Sequence, residues 1–506
     1  MSQQIHTSAL VKNKIGIPQY LIISFLTIFA IGAQYFSNLS YVLNQGVIQE
    51  GLHISSEDIL LPSVLSNLAF ALGVPLGPVL TGKLGLRKNY LLFTFMFLCG
   101  SVIDLISTGI VTLIIGRVIQ GLGSGILFLT ILPVSLRAFP NKIRNLFLFM
   151  VITGLFGASA LGALCGSISL YTDAWRWLFL LNVIASLLCF IIGFFGLPRQ
   201  EEPVQEQRKV DKKAVVLLCF TFLTLALPLC HLSPHGFSSI YVWPFLIIAL
   251  LSLGLFVYVD LKAEAPLVPF RTLKAAKPVS GTIMAVVSHA SLIIAIAGIN
   301  GFLQHNMELP YLNLTYFYFW FFIGIIGSAI VKTLLFDKLG AGILGMLGSV
   351  VMIYVSIQWR GIEPDIPLPF LYLQIALLGF GVSMVLVSGA LGTALAGDIH
   401  KASKRSATLH SIRNFAGALL SPFVGWLLLR QNTFHYQEIK QNLNIESPPK
   451  QLELSVKKSA ILGAYHDLFT LLLILGLIML VASVVKMMTG KGRSLVKKEK
   501  QILQNE

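Results

Sequence analysis

Fourteen stretches of apolar sequence run almost end to end through this 506-residue chain, near 18–42, 59–81, 89–107, 110–135, 145–170, 177–196, 214–232, 238–259, 278–303, 311–335, 340–357, 367–395, 406–429 and 460–485. A helix needs roughly 20 apolar residues to cross the hydrocarbon core of a bilayer. Inside that core no water can satisfy a backbone N–H or C=O, so each stretch closes its own hydrogen bonds as a helix. The pattern predicts an all-α membrane protein with fourteen transmembrane helices. Only 12% of the residues are charged, about half the share usual in a soluble domain.

The formal charge of +15 is a topology signal, because of where the charge sits. With both termini placed in the cytoplasm, and Lys332 counted with the inward loop that follows its span, 28 of the 37 Lys and Arg fall in inward segments and 7 in outward loops, five of these in the long outward loop 430–459. With that assignment Arg117 and Arg413 remain inside spans. This is the positive-inside asymmetry, with an attraction to anionic lipid and no nucleic-acid footprint. The five cysteines (Cys99, Cys165, Cys189, Cys219, Cys230) lie in apolar spans without metal-ligand spacing and read as small buried hydrophobes. The first apolar stretch is too long for a cleavable signal and reads as the first span.

The spans are grouped six, two, six. The N-terminal tail 1–17 precedes six spans in 18–196. The polar linker 197–213 (LPRQEEPVQEQRKVDKK) leads to two spans in 214–259. A connector, 260–277, leads to six more in 278–485, and a basic tail, 486–506, follows. Two six-helix halves around an inserted pair predict an internal structural repeat, as in many secondary transporters. No GxxxxGK[ST] element is present, so any energy is expected from an ion or substrate gradient.

Two spans carry motifs. The fourth holds GRVIQGLGSG (116–125), in which Arg117, Gly121 and Gly125 share a helix face and Gln120 lies beside them. An intramembrane arginine needs a partner, a cavity or a route to the interface. It reads either as a packing anchor bonded to carbonyls or as part of a coupling or substrate path. In the fifth span Gly154, Ala158, Gly162 and Gly166 form a smooth stripe for close helix approach. It runs into DAWRWLFLLN (173–182), whose tryptophans read as interfacial anchors.

Taken together these elements resemble the major facilitator superfamily, and within it the fourteen-span drug:proton antiporter family. The resemblance rests on Arg117, Gln120, Gly121, Gly123 and Gly125, on the glycine stripe followed by Trp175, Arg176, Trp177, Phe179 and Asn182, and on the six-two-six count with PLVPFRTL after the eighth span. It departs from the family in three places. Pro78–Arg87 (PVLTGKLGLR) has Gly82 where the family's loop carries an acid that takes part in a cytoplasmic charge lock. Ala163 and Ser167 replace a proline and a glycine of the antiporter signature. Span 1 offers Gln34 and Asn38 in place of a carboxylate.

By this resemblance spans 1, 4, 9 and 12 line a central cavity. The expected lining is Gln34, Asn38, Arg117, Gln120, His289, Gln374 and Ser383; for the two span 1 amides, simple helix–helix hydrogen bonding is the alternative. His289, Arg117 and Asp104 are the candidates for proton coupling, although Asp104 also reads as an interfacial acid and a lone intramembrane histidine as a packing residue. A cytoplasmic gate is expected at Lys83, Gly85, Arg87, Asp398 and Arg413, with Asp398 and Arg413 as an ion pair. Glu308 reads as a loop acid. Few acids near the cavity favour a neutral or anionic, partly apolar ligand facing Arg117.

The sequence therefore predicts a secondary transporter in a bacterial inner (plasma) membrane that exports small organic molecules by alternating access with proton exchange. It would act as a monomer without cofactor or metal, its partners being substrate, protons and lipid. A uniporter or differently coupled carrier, and a non-transporting sensor on the same fold, are the rivals. HExxH and paired intraspan carboxylates are absent, which argues against an enzyme.

Overall fold

The computed structural model describes residues 18–55, 58–138, 150, 153–198, 211–397, 401–443 and 449–490. Among them are fourteen α-helices: α1 (Gln19–Leu43), α2 (Gln45–Leu52), α3 (Leu61–Leu84), α4 (Leu86–Leu105), α5 (Ile110–Ala138), α6 (Ala158–Thr172), α7 (Arg176–Gly196), α8 (Lys212–His235), α9 (Trp243–Lys262), α10 (Ala276–His305), α11 (Tyr311–Arg360), α12 (Leu368–Ala394), α13 (Ala402–Leu443) and α14 (Lys450–Met488). Twelve are long and apolar enough to cross a membrane. The shorter α6 and the double passage of α11 bring the crossings to fourteen, and α2 is a short surface helix.

Local chemistry sets the helix starts and breaks. Pro18, Pro310, Pro367 and Pro449 precede α1, α11, α12 and α14 with φ between −54° and −62° and extended ψ, the conformation that the pyrrolidine ring imposes. Asp211 caps α8 by accepting the Lys213 N–H at 2.9 Å. An unbroken 50-residue helix would run about 75 Å, more than twice the bilayer core. The chain turns back within α11 at Gly340, whose φ of 79° lies where only glycine sits without strain. The crossings are therefore 311–339 and 341–360, and the short loop expected at 336–339 is helical.

Two further expectations are corrected. The outward loop 430–459 is largely helix: α13 continues to Leu443 and α14 begins at Lys450. The extensions are held together from the side, where Gln431 Nε2 and His435 Nε2 meet Asp467 Oδ2 at 3.0 and 2.8 Å. The fifth span is not a uniform α-helix either, since Thr153–Gly157 form one π-helical turn before α6.

One six-crossing bundle comprises α1 and α3–α7, and the other comprises α10–α14 with α11 counted twice. The bundles meet through α3 on α13 and α6 on α11. The inserted pair α8–α9 leans on α3 and α13, joined to them by an apolar cluster that includes Leu68, Phe222, Phe256 and Ala418. Its outer surface is bare: Leu250, Leu251 and Leu255 are more than half exposed, as suits side chains that face lipid.

Candidate functional site

The polar residues that span the seam between the bundles lie deep in the membrane region. Tyr35 of α1 approaches α13, and the Arg413 Nη2 donates to its hydroxyl at 2.6 Å. The Tyr35 hydroxyl donates to Asn414 Oδ1 at 3.2 Å, and Arg413 Nη2 reaches the same oxygen at 3.1 Å. Arg413 begins the fourth turn of α13 and is fully buried. Its guanidinium carbon stands 5.5 Å from the centre of the Phe128 ring and 6.0 Å from that of Tyr35, within the range of cation–π attraction.

Aromatic rings close the cluster. Tyr35 meets His289 of α10 edge-on at 6.1 Å and Phe70 of α3 at 6.1 Å, and Phe128 of α5 meets His410 of α13 at 5.0 Å. Gly417 keeps α13 close to His289: a methyl group there would lie 2.7 Å from the imidazole Nε2. Among the described residues several donors in the cluster have no hydrogen-bond partner, namely Arg413 Nε and Nη1 and Asn414 Nδ2, and His410 Nδ1 is also without one. Among the described residues no carboxylate pairs with Arg413. A buried arginine in a membrane without a counter-charge is costly, so this is the most unusual electrostatic feature of the seam.

A second polar group is internal to the first bundle. Arg117, on α5, is fully buried, and Nη1 donates to Gln120 Oε1 at 2.9 Å. Gln120 Nε2 then donates to Ser101 Oγ at 2.9 Å. The Arg117 guanidinium carbon stands 5.1 Å from the centre of the Tyr41 ring. Asp104 closes α4 beside them, and it is fully buried rather than interfacial because Gly116 lets α5 press against its carboxylate. Among the described residues neither Asp104 oxygen has a hydrogen-bond partner, and Arg117 Nε and Nη2 have none. The two side chains feel each other's charge without forming a direct ion pair.

The other expected cavity residues are engaged in packing. Gln34 Nε2 donates to Ser66 Oγ and Asn67 Oδ1 at 3.1 Å, and its oxygen accepts from Ser124 at 3.2 Å. Asn38 Oδ1 accepts from Ser63 at 2.8 Å. Gln34 therefore ties α1 to α3 and α5, and Asn38 ties α1 to α3. Gln374 Oε1 accepts from Trp359 Nε1 at 2.9 Å. Ser383 receives the ammonium group of Lys332, which donates to its carbonyl at 2.6 Å and its hydroxyl at 2.9 Å. The Lys/Arg distribution assigned Lys332 to an inward loop, but it is fully buried between α11 and α12.

The small-residue stripe faces α1: a methyl group on Gly162 would lie 2.5 Å from the Phe36 carbonyl oxygen, and Gly154 and Gly166 also abut α1. Ala158 sits against Gly32. Gly121 and Gly125 press on the Ser66 and Phe70 carbonyls of α3. Trp175 is buried; Arg176 stacks on it at 4.3 Å and donates to the Ser107 carbonyl at 2.8 Å.

The expected gate residues do not converge. Lys83 is exposed, Gly85 forms the turn between α3 and α4, and Arg87 Nη2 donates to the Phe194 carbonyl of α7, in its own bundle, at 2.6 Å. Arg413 lies at mid-seam, bonded to Tyr35 and Asn414, and Asp398 falls outside the described residues. Sequence reasoning passed over Tyr35, Phe70 and Phe128, because aromatic residues in an apolar span carry no polar signal. Lys332 was visible as a cation inside the run 311–335.

Two helical bundles with a polar seam between them are the architecture of a membrane transporter. The Major Facilitator Superfamily model matches residues 21–425, and the chain belongs to that family. Similar proteins include the "Uncharacterized MFS-type transporter YubD" of Bacillus subtilis (strain 168), 27% identical over 95% of this chain and 90% of its own. The "Quinolone resistance protein NorB" of Staphylococcus aureus (strain JH9) is 30% identical over 38% of this chain and 42% of its own. A crystal structure of the peptide transporter POT in complex with sulfate superposes with a TM-score of 0.61 at 16% identity, covering 97% of this chain and all of that one; this likeness is one of fold.

Proposed function

We propose that this multi-pass membrane protein is a drug:proton antiporter of the fourteen-span type. It exports small, partly apolar organic molecules by alternating access, and its basic face and both termini are cytoplasmic. The observation that carries this reading is the Tyr35–Arg413–His289 cluster. It draws its side chains from both bundles, so anything bound there touches both, and rocking the bundles would expose it to each side of the membrane in turn. The partial similarity to a quinolone resistance protein supports export of drug-like compounds.

Proton coupling is assigned to Asp104 with Arg117. Asp104 is buried with both oxygens free of hydrogen bonds, and Arg117 beside it keeps two nitrogens free. A carboxyl group placed this way takes or gives up a proton as its contact with the guanidinium changes. That gives the antiporter an acid even though span 1 has none.

Inverted membrane vesicles from a pump-deficient strain test the reading. A quinolone should accumulate when the proton gradient is imposed and leak away when it is collapsed. Asp104→Asn should lose gradient-driven accumulation yet keep substrate counterflow. Accumulation that ignores the gradient would remove the antiport, and lack of any movement would remove the export reading.

A further inference from the structure

The chemistry at the seam narrows the substrate. We propose that the transported molecule carries an anionic group, a carboxylate or its equivalent, and that Arg413 supplies the counter-charge; this rests on the cluster being the substrate site.

The argument begins with what surrounds the guanidinium. The titratable groups facing it are Tyr35 of α1, His289 of α10 and His410 on its own helix. None of them brings a negative charge at neutral pH, and a protonated histidine would add a positive one. The hydrogen-bonding inventory is equally one-sided. Arg413 Nε and Nη1 and Asn414 Nδ2 are donors without partners, while the oxygens nearby, the Tyr35 hydroxyl and Asn414 Oδ1, are already shared with Arg413 Nη2. A site with spare donors, a fixed positive charge and no carboxylate recognises an acceptor-rich anion.

The walls define the rest of the molecule. Phe70, Phe128 and the Tyr35 and His289 rings present flat faces and edges around the charge. They suit an aromatic or apolar body attached to the anionic group. The seam is closed, with Arg413 fully buried. The ligand's anionic group is therefore expected to take Arg413 over from the Tyr35 hydroxyl as the bundles part. Exchange of one oxygen partner for another links binding to opening without leaving the guanidinium bare.

The test uses the purified full-length protein and three probes that share a phenyl ring: benzoate, its neutral isostere benzamide, and the cation benzyltrimethylammonium. Benzoate should raise the melting temperature by several degrees and the other two should not. Arg413→Gln should abolish the benzoate shift and Arg413→Lys should reduce it. Arg430→Gln, an exposed arginine on the same helix, should leave it intact, which separates local recognition from general charge. Equal stabilisation by benzamide, a larger effect of the quaternary ammonium, persistence of the benzoate shift in Arg413→Gln, or no benzoate shift at all would overturn the proposal. If Arg413→Gln fails to elute as a folded monodisperse species, the Arg413→Lys shift decides: a full-size shift there overturns the proposal and a reduced one supports it. Vesicle transport separates this from the export reading. A quinolone acid should move at least tenfold faster than its methyl ester. Equal export of acid and ester would overturn the anion requirement and leave export standing. Arg413-dependent benzoate binding without export of any probe would do the reverse.

Discussion

Arg413 of α13 and Tyr35 of α1 share a 2.6 Å hydrogen bond across the seam between the two bundles. The residues are 378 positions apart in the chain, so the bond exists only while the bundles are closed against each other at this level. It is a charge-assisted bond between a buried cation and a neutral hydroxyl. An ion pair would have bound Arg413 more firmly; a hydroxyl can be exchanged for a ligand oxygen.

Removing that hydroxyl should therefore loosen the closed state without disturbing either bundle. Tyr35→Phe keeps the ring that packs on Phe70 and His289 and removes the oxygen. A hydrogen bond to a charged group contributes about 1.5–3 kcal/mol, so the population with parted bundles should rise by roughly ten- to a hundredfold. Spin labels at Tyr171 and Glu308, placed in a cysteine-free background, report the separation on one side. Labels at Lys83 and Lys401 report it on the basic side. Longer distances on one side are expected, and unchanged distributions on both would show that this bond does not hold the seam.

Gly125 and Gly82 should respond in opposite ways to one added methyl group. At Gly125 the methyl would lie 2.2 Å from the Phe70 carbonyl oxygen of α3, whereas at Gly82 nothing lies within 4 Å. Overpacking of a tight helix contact costs about 1–3 kcal/mol. Gly125→Ala should lower the melting temperature and the yield of folded protein, and Gly82→Ala should match the parent. Equal stability of the two variants in a detergent melt would count against α3–α5 close packing. It would also displace Phe70, so the same Gly125 variant should weaken benzoate binding.

The architecture was legible in the sequence because each crossing is a local property: an apolar run of sufficient length, with Gly or Pro between runs. Seam chemistry was not local. The polar pattern singled out Gln34 and Asn38, yet their amides are used within one bundle, while the residue between them in sequence, Tyr35, turns to the other bundle. Arg413 was recognisable as a buried cation, but its partner lies on a helix almost four hundred residues away, a pairing that no spacing rule reveals. Asp104 reads as interfacial because it lies near the end of a span; the close approach of α5 at Gly116 buries it. The helical continuation of α13 past residue 430 was missed for a related reason. Its sequence is polar, and its stability comes from Asp467 on α14 rather than from its own composition.

Lys332 and Ser383 offer an asymmetric pair. The Lys332 ammonium is fully buried and donates only to Ser383 among the described residues. Replacing a buried cation by an apolar chain of similar length is often neutral or stabilising, whereas Ser383→Ala removes the hydroxyl and leaves the ammonium only the residue 383 carbonyl in a low-dielectric interior. Lys332→Met should therefore melt within about 1 kcal/mol of the parent, while Ser383→Ala should lose about 1–3 kcal/mol. The double variant should recover most of the Ser383→Ala loss. Chemical denaturation of all four proteins in the same detergent measures the cycle, and additive losses would mean that the two side chains do not act as a pair.

Lys486 closes the basic end of the second bundle by a different device. Its Nζ donates to the Lys277 carbonyl of α10 and to the Gly392 carbonyl of α12, each at 2.6 Å, from a side chain only 1% exposed. The Lys277 carbonyl lies in the first turn of α10 and also accepts from Ser280 Oγ at 3.2 Å. The last carbonyls of a helix have no partner within it, and Gly392 lies in the last turn of α12. Arg405 serves the neighbouring ones, donating to the Ala394 carbonyl at 2.7 Å and the Thr393 carbonyl at 3.0 Å. Lys486→Met keeps the length of the side chain and removes the donor, leaving the Gly392 carbonyl short of a partner at a cost of about 1–3 kcal/mol. The loss should be localised. Hydrogen exchange followed by mass spectrometry should show faster exchange at the basic-side ends of α10 and α12, with protection retained in the far half of α14, where Asp467 holds the α13 extension. Because the acceptors are carbonyls in a buried site rather than surface carboxylates, the difference from the parent should be the same in low and high salt. Exchange that rises evenly along all three helices would point to global destabilisation and would remove the local clamp; a difference that vanishes in high salt would mean that Lys486 acts as a surface charge.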